Sequence, residues 1–134
     1  MQVYAANNAS TKELMGYLYL DLWPRENKYK HSAHFSITEG LVEWTSPFER
    51  EESVHRAAVV CNFPRPPDTM LFSDVVTFFH ESGHFLHGLM ASQNQHYALF
   101  SGIQTEFDFV EAPSQFLENY AYDNRTLRAI DPVL

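Results

Sequence analysis

The chain has 134 residues, 45% of them hydrophobic and 15% aromatic, with a formal net charge of −8. That length and apolar content support one packed domain at most. The acidic balance argues against nucleic acid and anionic membrane surfaces as partners, and no apolar run approaches the roughly 20 residues of a membrane span.

In chain order, a short strand is expected at residues 3–5, followed by a polar turn through Asn7-Asn8-Ala9-Ser10. Residues 16–22 alternate Leu18, Leu20 and Leu22 with Tyr17, Tyr19 and Asp21, the period-two pattern of a half-buried strand. Residues 34–37 offer a further strand. The charged run Glu49-Arg50-Glu51-Glu52 reads as a solvated loop. Residues 57–63 are apolar, β-branched in part, and stop before prolines, as a strand does. Pro64-Arg65-Pro66-Pro67-Asp68 is a breaker. Ser73 is then the expected N-cap of a long helix, with Asp74 complementing the dipole in its first turn. Val75, Phe78, Phe79, Phe85, Leu86 and Leu89 carry its apolar positions to about Ser92. Residues 93–106 read as a connection containing Ser101-Gly102. A second helix is expected from Asp108, with Pro113 near its start, where proline costs least.

The long helix contains His80-Glu81-Ser82-Gly83-His84, an H-E-x-x-H motif. Two His four residues apart rise about 6 Å along a helix and share a face, so both imidazoles can reach one Zn²⁺ with bonds of about 2.1 Å. Glu81 is then placed to activate a water at the metal, as in metallopeptidases. An isolated His pair is more often a surface or core feature, and the apolar flanks, Glu81 and Gly83 shift the balance here. Gly83 costs helix stability and marks a close approach of another segment. His87 lies about 10.5 Å along the axis from His80, too far for the same ion, and reads as a supporting, core or surface residue.

A third ligand is needed. The metzincin pattern requires Gly and His where this chain has His87 and Met90, so that class is excluded. A carboxylate from the second helix is the remaining source. Asp108 and Glu111 are three apart and share a face. One can ligate while the other orients an imidazole; the plain alternative is a helix N-cap with an acidic partner.

Residues 79–84 (Phe-His-Glu-Ser-Gly-His), then Phe100-Ser101-Gly102, then residues 108–119 (Asp-Phe-Val-Glu-Ala-Pro-Ser-Gln-Phe-Leu-Glu-Asn) resemble the thimet oligopeptidase family of zinc metallopeptidases. Residues 19–29 and Val60-Cys61-Asn62-Phe63 resemble the segments upstream of that family's active site. The resemblance covers nearly the whole chain in order, and the Glu-Ala-Pro-Ser-Gln run is its most specific part. It implies His80, His84 and Glu111 as zinc ligands, one ion per chain, with Glu81 as general base. It implies that Asp108 orients a ligand imidazole, and that the strand at Asn62 and the loop at Gly102 hold the substrate backbone. The implied substrates are oligopeptides, taken into a channel between two mostly helical halves. Ser82 departs from the family's usual Phe. Family members are several times longer, and a downstream segment bearing a His and several Tyr, associated with oxyanion stabilisation, has no counterpart before Pro132-Val133-Leu134.

The expected fold is α+β: a small N-terminal sheet followed by zinc-binding helices, a partial zincin-type catalytic domain, mainly β over 1–67 and mainly α over 68–134. His31 and His34 read as structural or substrate-side residues; His55 and His96 have no ligand context. Cys61 is the single cysteine and reads as a buried strand residue, so no internal disulfide can form. The first residues, Met1-Gln2-Val3-Tyr4-Ala5, lack a signal-peptide pattern. A reducing compartment is expected, cytoplasmic with mitochondrial as the alternative. The leading function is zinc-dependent endopeptidase. Its rivals are a non-catalytic zinc-binding fragment and a fragment that folds only with a missing partner segment.

Overall fold

Alternating apolar side chains build the first half into sheet. The structure, a computed structural model, describes residues 1–46, 49–93 and 95–130; the closing residues 131–134 lie outside it. Its strands are β1 (Gln2–Asn7), β2 (Leu14–Asp21), β3 (Ala33–Thr38), β4 (Leu41–Ser46), β5 (Glu49–Ser53) and β6 (His55–Val60). Four of them form one mixed sheet in the order β1-β2-β6-β3. β2 and β6 run parallel, with Leu18 opposite Ala57 and Leu20 opposite Val59. β1 and β3 pair antiparallel on either side. After β6 the chain stays extended: the Cys61 and Phe63 N–H groups donate to Asp21 and Leu22 carbonyls, each at 2.9 Å. The expected strand over 57–63 thus begins two residues earlier and ends in this looser pairing.

The charged run at 49–52 is a strand, not the expected loop. It forms β5, which pairs antiparallel with β4 as a separate hairpin. Glu49, Glu51 and Glu52 are exposed there, so the charges stay hydrated while the backbone pairs.

Helix α1 (Phe72–Ala91) follows the proline-rich breaker. Its N-cap is Leu71 rather than Ser73, and the Asp74 carboxylate accepts the Leu71 N–H at 2.9 Å, satisfying one of the helix's first donors. A 3₁₀ turn at Ala98–Phe100 precedes α2 (Glu111–Glu118), a second 3₁₀ turn (Asn119–Tyr122) and α3 (Asn124–Ile130). α2 starts three residues after the expected Asp108. The preceding residues form a turn instead, closed by the Phe109 and Val110 N–H groups on the Glu106 carbonyl at 3.0 and 3.1 Å. Among the described residues no helix is long and apolar enough to cross a membrane.

One face of the sheet is covered by α1. Alternate residues His55, Ala57, Val59 and Cys61 are fully buried. Leu20, Val59, Cys61 and Phe63 make one cluster against Phe78; Ala57, Phe85 and Leu89 make another against Met15. On its other flank α1 meets α2 at Gly83. A Cβ there would lie 2.6 Å from Ser114 Cα and 2.8 Å from the Pro113 carbonyl oxygen. Both obstacles are backbone, which cannot swing aside.

Gly83→Ala should therefore lower stability by about 1–3 kcal/mol, the cost of overpacking a close contact, despite alanine's better helix propensity. Thermal unfolding followed by circular dichroism measures it; a midpoint at or above the parent's would contradict the contact.

Candidate metal centre

His80 and His84 sit one turn apart on α1, and their rings meet edge to face with centroids 5.0 Å apart. Glu111, the first residue of α2, reaches both: its Oε2 lies 3.2 Å from His80 Nε2 and 3.2 Å from His84 Nε2. The three ligand atoms fall within 4.8 Å of one another. Tetrahedral zinc with bonds of about 2.0–2.1 Å would hold such atoms about 3.3 Å apart, so the two nitrogen–oxygen spacings fit that ion, and the N₂O donor set leaves a coordination position open.

Glu111 is held from behind. The Ser114 hydroxyl donates to its Oε2 at 2.8 Å and also contacts its carbonyl oxygen at 2.9 Å. That bond, followed by the neighbouring His84 and His80, keeps the Glu111 carboxyl below the usual glutamate range. Glu81 behaves oppositely. It is 7% exposed, and burial raises its carboxyl above the usual range, opposed in part by His80 and by the His34 backbone N–H that faces it.

The second nitrogen of His80 has a partner that sequence reasoning missed. His80 Nδ1 lies 2.6 Å from Glu118 Oε1. Glu118 is seven residues after Glu111 on the same α2 face, so one helix supplies both carboxylates around one imidazole. The helical period was the available signal. Asp108 was expected to orient an imidazole, but it lies in the turn before α2, and no hydrogen bond or ion pair joins it to His80 or His84. The His84 Nδ1 atom is buried without a partner.

A cavity of about 320 Å³ opens over the three candidate ligands and Glu81, with Ser32, Ala33, His34, Ile103 and Val110 completing its lining. Asn62 and Gly102 are not among these walls. The Asn62 side chain donates to the Tyr29 carbonyl at 2.9 Å and borders a separate hollow with Pro24 and Lys30. Gly102 has φ +71°, and the Glu39 carboxylate occupies the space a Cβ would need, so the position requires glycine. Its neighbour Ile103 does reach the cavity.

Inward from the candidate ligands, His34 and His55 follow one another. His34 packs between His84 and His55, with centroids 6.1 and 6.4 Å away. His87 packs edge-on to Phe109 and is not in the ligand group. Buried Cys61 has its thiol pushed up to about 11 by desolvation, which makes it a poor nucleophile.

The family model described as peptidase family M3 matches residues 1–132. Among curated relatives, the thimet-like oligopeptidase of Dictyostelium discoideum is 39% identical over 90% of this chain and 18% of its own length. The mitochondrial intermediate peptidase of Arabidopsis thaliana is 40% identical over 85% of the chain and 16% of its own length. Saccharolysin of Saccharomyces cerevisiae is 33% identical over 93% and 17%. The chain thus spans less than a fifth of each of these relatives.

The buried histidines imply a pH dependence in the metal-free chain. Burial, followed by neighbouring His84, His55 and His87, lowers the His34 value from 6.5 to about 3. The unfolded chain therefore takes up a proton first as pH falls. Stability is fully present above about pH 6.5 and is lost towards pH 3. His55, His84 and His87, also lowered by burial, act in the same sense, while the raised Glu81 opposes them. Urea unfolding should give about 2 kcal/mol less stability at pH 5 than at pH 7 from His34 alone. His34→Phe should shrink the difference; a pH-independent parent would refute this.

Proposed function

The chain belongs to peptidase family M3, and we propose that it carries the zinc-dependent peptide-hydrolysing centre of that family, with a zincin-type arrangement of its helices. The observation that carries this reading is the convergence of His80, His84 and Glu111 with zinc-like spacing, beside a buried carboxylate on the next residue of the same helix. His80, His84 and Glu111 would hold the ion. Bound there, zinc supplies Lewis acidity for a carbonyl and a water.

The remaining steps belong to the chain's own residues. Glu81 takes a proton from the attacking water and passes it to the departing amine. Its raised affinity for protons suits a group that must do both near neutral pH. Glu118 holds the His80 ring by Nδ1 and leaves Nε2 turned to Glu111, where the two would hold the ion. β3 is a free edge of the four-stranded sheet, and residues 32–34 at its start line the cavity. An extended oligopeptide can pair along that edge and bring one carbonyl over the centre. Ile103 and Val110 give the cavity apolar walls. A reducing compartment, cytoplasmic or mitochondrial, suits a chain whose one cysteine is buried and free.

A second reading is a metal-binding unit without turnover. Large apolar side chains such as Leu99, Phe107 and Phe116 are 79%, 94% and 65% exposed, and the chain spans less than a fifth of its relatives. Walls and oxyanion donors supplied by other segments would then be required.

Glu81→Gln should keep one zinc per chain and lower hydrolysis of a fluorogenic oligopeptide by at least about a hundredfold. Turnover equal to the parent's would sink the mechanism, whereas full zinc loading with no turnover in the parent would select the second reading. Glu118→Gln should weaken zinc binding about 10–100-fold in a competition titration with a chromogenic chelator; unchanged affinity would remove Glu118 from the centre.

A further inference from the structure

Residues 22–32 join β2 to β3 without helix or strand. Yet Ser32 and His34, at the far end of this connection, form a wall of the metal cavity. A buried lysine is at the root of the segment. The Lys28 side chain is 2% exposed. Its ammonium donates to the carbonyl oxygens of Cys61 at 2.5 Å, Asp21 at 2.7 Å and Trp23 at 2.8 Å, with Asp21 Oδ1 at 3.1 Å. An ammonium has three N–H donors, and here three carbonyls take them while the carboxylate supplies the opposing charge. The carbonyls come from the last residue of β2, the turn after it and the residue after β6. A flat guanidinium does not match three converging acceptors, and a neutral side chain would leave them unsatisfied.

Downstream of Lys28 the same segment is tied at successive points. The Tyr29 carbonyl accepts from the Asn62 side chain at 2.9 Å. Ser32 lies beside the Cys61 thiol. The His34 backbone N–H then faces the Glu81 carboxylate, and both residues line the same cavity. Each tie runs to the strand end that Lys28 clamps or to α1.

We infer that Lys28 is a positioning residue of the metal site: its ammonium bolts residues 29–34 to the ends of β2 and β6, which holds the His34 N–H against the Glu81 carboxylate. The meaning of this for catalysis rests on the role proposed above for Glu81. The placement itself does not, and it can be tested on the metal-free chain without any turnover.

The test is amide hydrogen exchange of the full chain carrying Lys28→Ala, alone and with added n-propylammonium, which replaces the deleted carbons and ammonium. Exchange at His34 should accelerate about tenfold or more, while the Leu18 and Val59 amides of the central strands stay within about twofold of the parent. Propylammonium should restore His34 protection, and tetramethylammonium, which has no N–H, should not. Unchanged exchange at His34, equal acceleration across the sheet, or equal rescue by both cations would each overturn the inference. Should Lys28→Ala not fold, Asp21→Asn keeps the ammonium and carbonyls and weakens the opposing charge, together with the exposed Arg25–Asp21 ion pair at 2.7 Å, which Arg25→Gln removes alone as the control. Asp21→Asn must give the same local pattern in smaller degree, and an unaltered His34 or a sheet-wide change there would overturn the inference equally. A peptidase assay that fails leaves these outcomes untouched, so the two ideas fall separately.

Discussion

The approach of α2 to α1 at Gly83 is the constraint on which the candidate centre depends. Ser114 fills the space a side chain at residue 83 would take, and its hydroxyl grips the Glu111 carboxylate. The residue that makes the contact thus also aims the third candidate ligand. Seven residues after Glu111, Glu118 meets the other side of His80. One missing Cβ on α1 therefore fixes two carboxylates of α2 around the imidazoles. α1 can serve as the reference for this placement because Phe78, Phe85 and Leu89 seat it on the sheet.

The parts of this arrangement that could be read from sequence are those governed by short-range periodicity. β2 and α1 follow from leucine alternation and from a long apolar helical pattern without proline. The pairing of His80 with His84 follows from helix geometry alone. Glu111 needed either the family resemblance or the fold, because spacing left Asp108 as an equal candidate. The turn at 107–110 separates them: Glu111 opens α2, whereas Asp108 precedes it. Glu118 was within reach of the same periodic argument, two turns along. What could not be read depends on pairing between distant segments. The strand character of 49–53 comes from β4, which offers it a partner, and the run of charges itself carries no strand signal. The antiparallel join of β3 to β6 brings Ala33 and His34 to the cavity, and no local pattern announces it.

The interior behind the candidate metal centre is rich in imidazole. His34 and His55 lie one behind the other under His84, and several of their ring nitrogens are buried without partners. Burial keeps these rings neutral, and a neutral neighbour does not repel a cation at His84. A lysine or arginine in the same position would oppose metal binding directly. The polar interior thus costs hydrogen bonds, an expense tolerated in the region of a fold that serves a site rather than stability.

The two glutamates that face the cavity show how the same side chain can be given opposite proton affinities. Glu111 is about half exposed at its side chain and is fed by a serine hydroxyl and two imidazoles, so its charged form is favoured, as a ligand requires. Glu81 is one residue from His80 but is turned into the protein, where desolvation favours the proton and only a backbone N–H and His80 support the charge. In the proposed centre, exchanging these environments would leave a candidate ligand that protonates more readily and a candidate base that accepts a proton less readily. Separation of the two affinities is what an acid–base role beside a metal demands. It arises here from backbone placement: the His34 N–H on one side, and the N-terminal turn of α2 on the other.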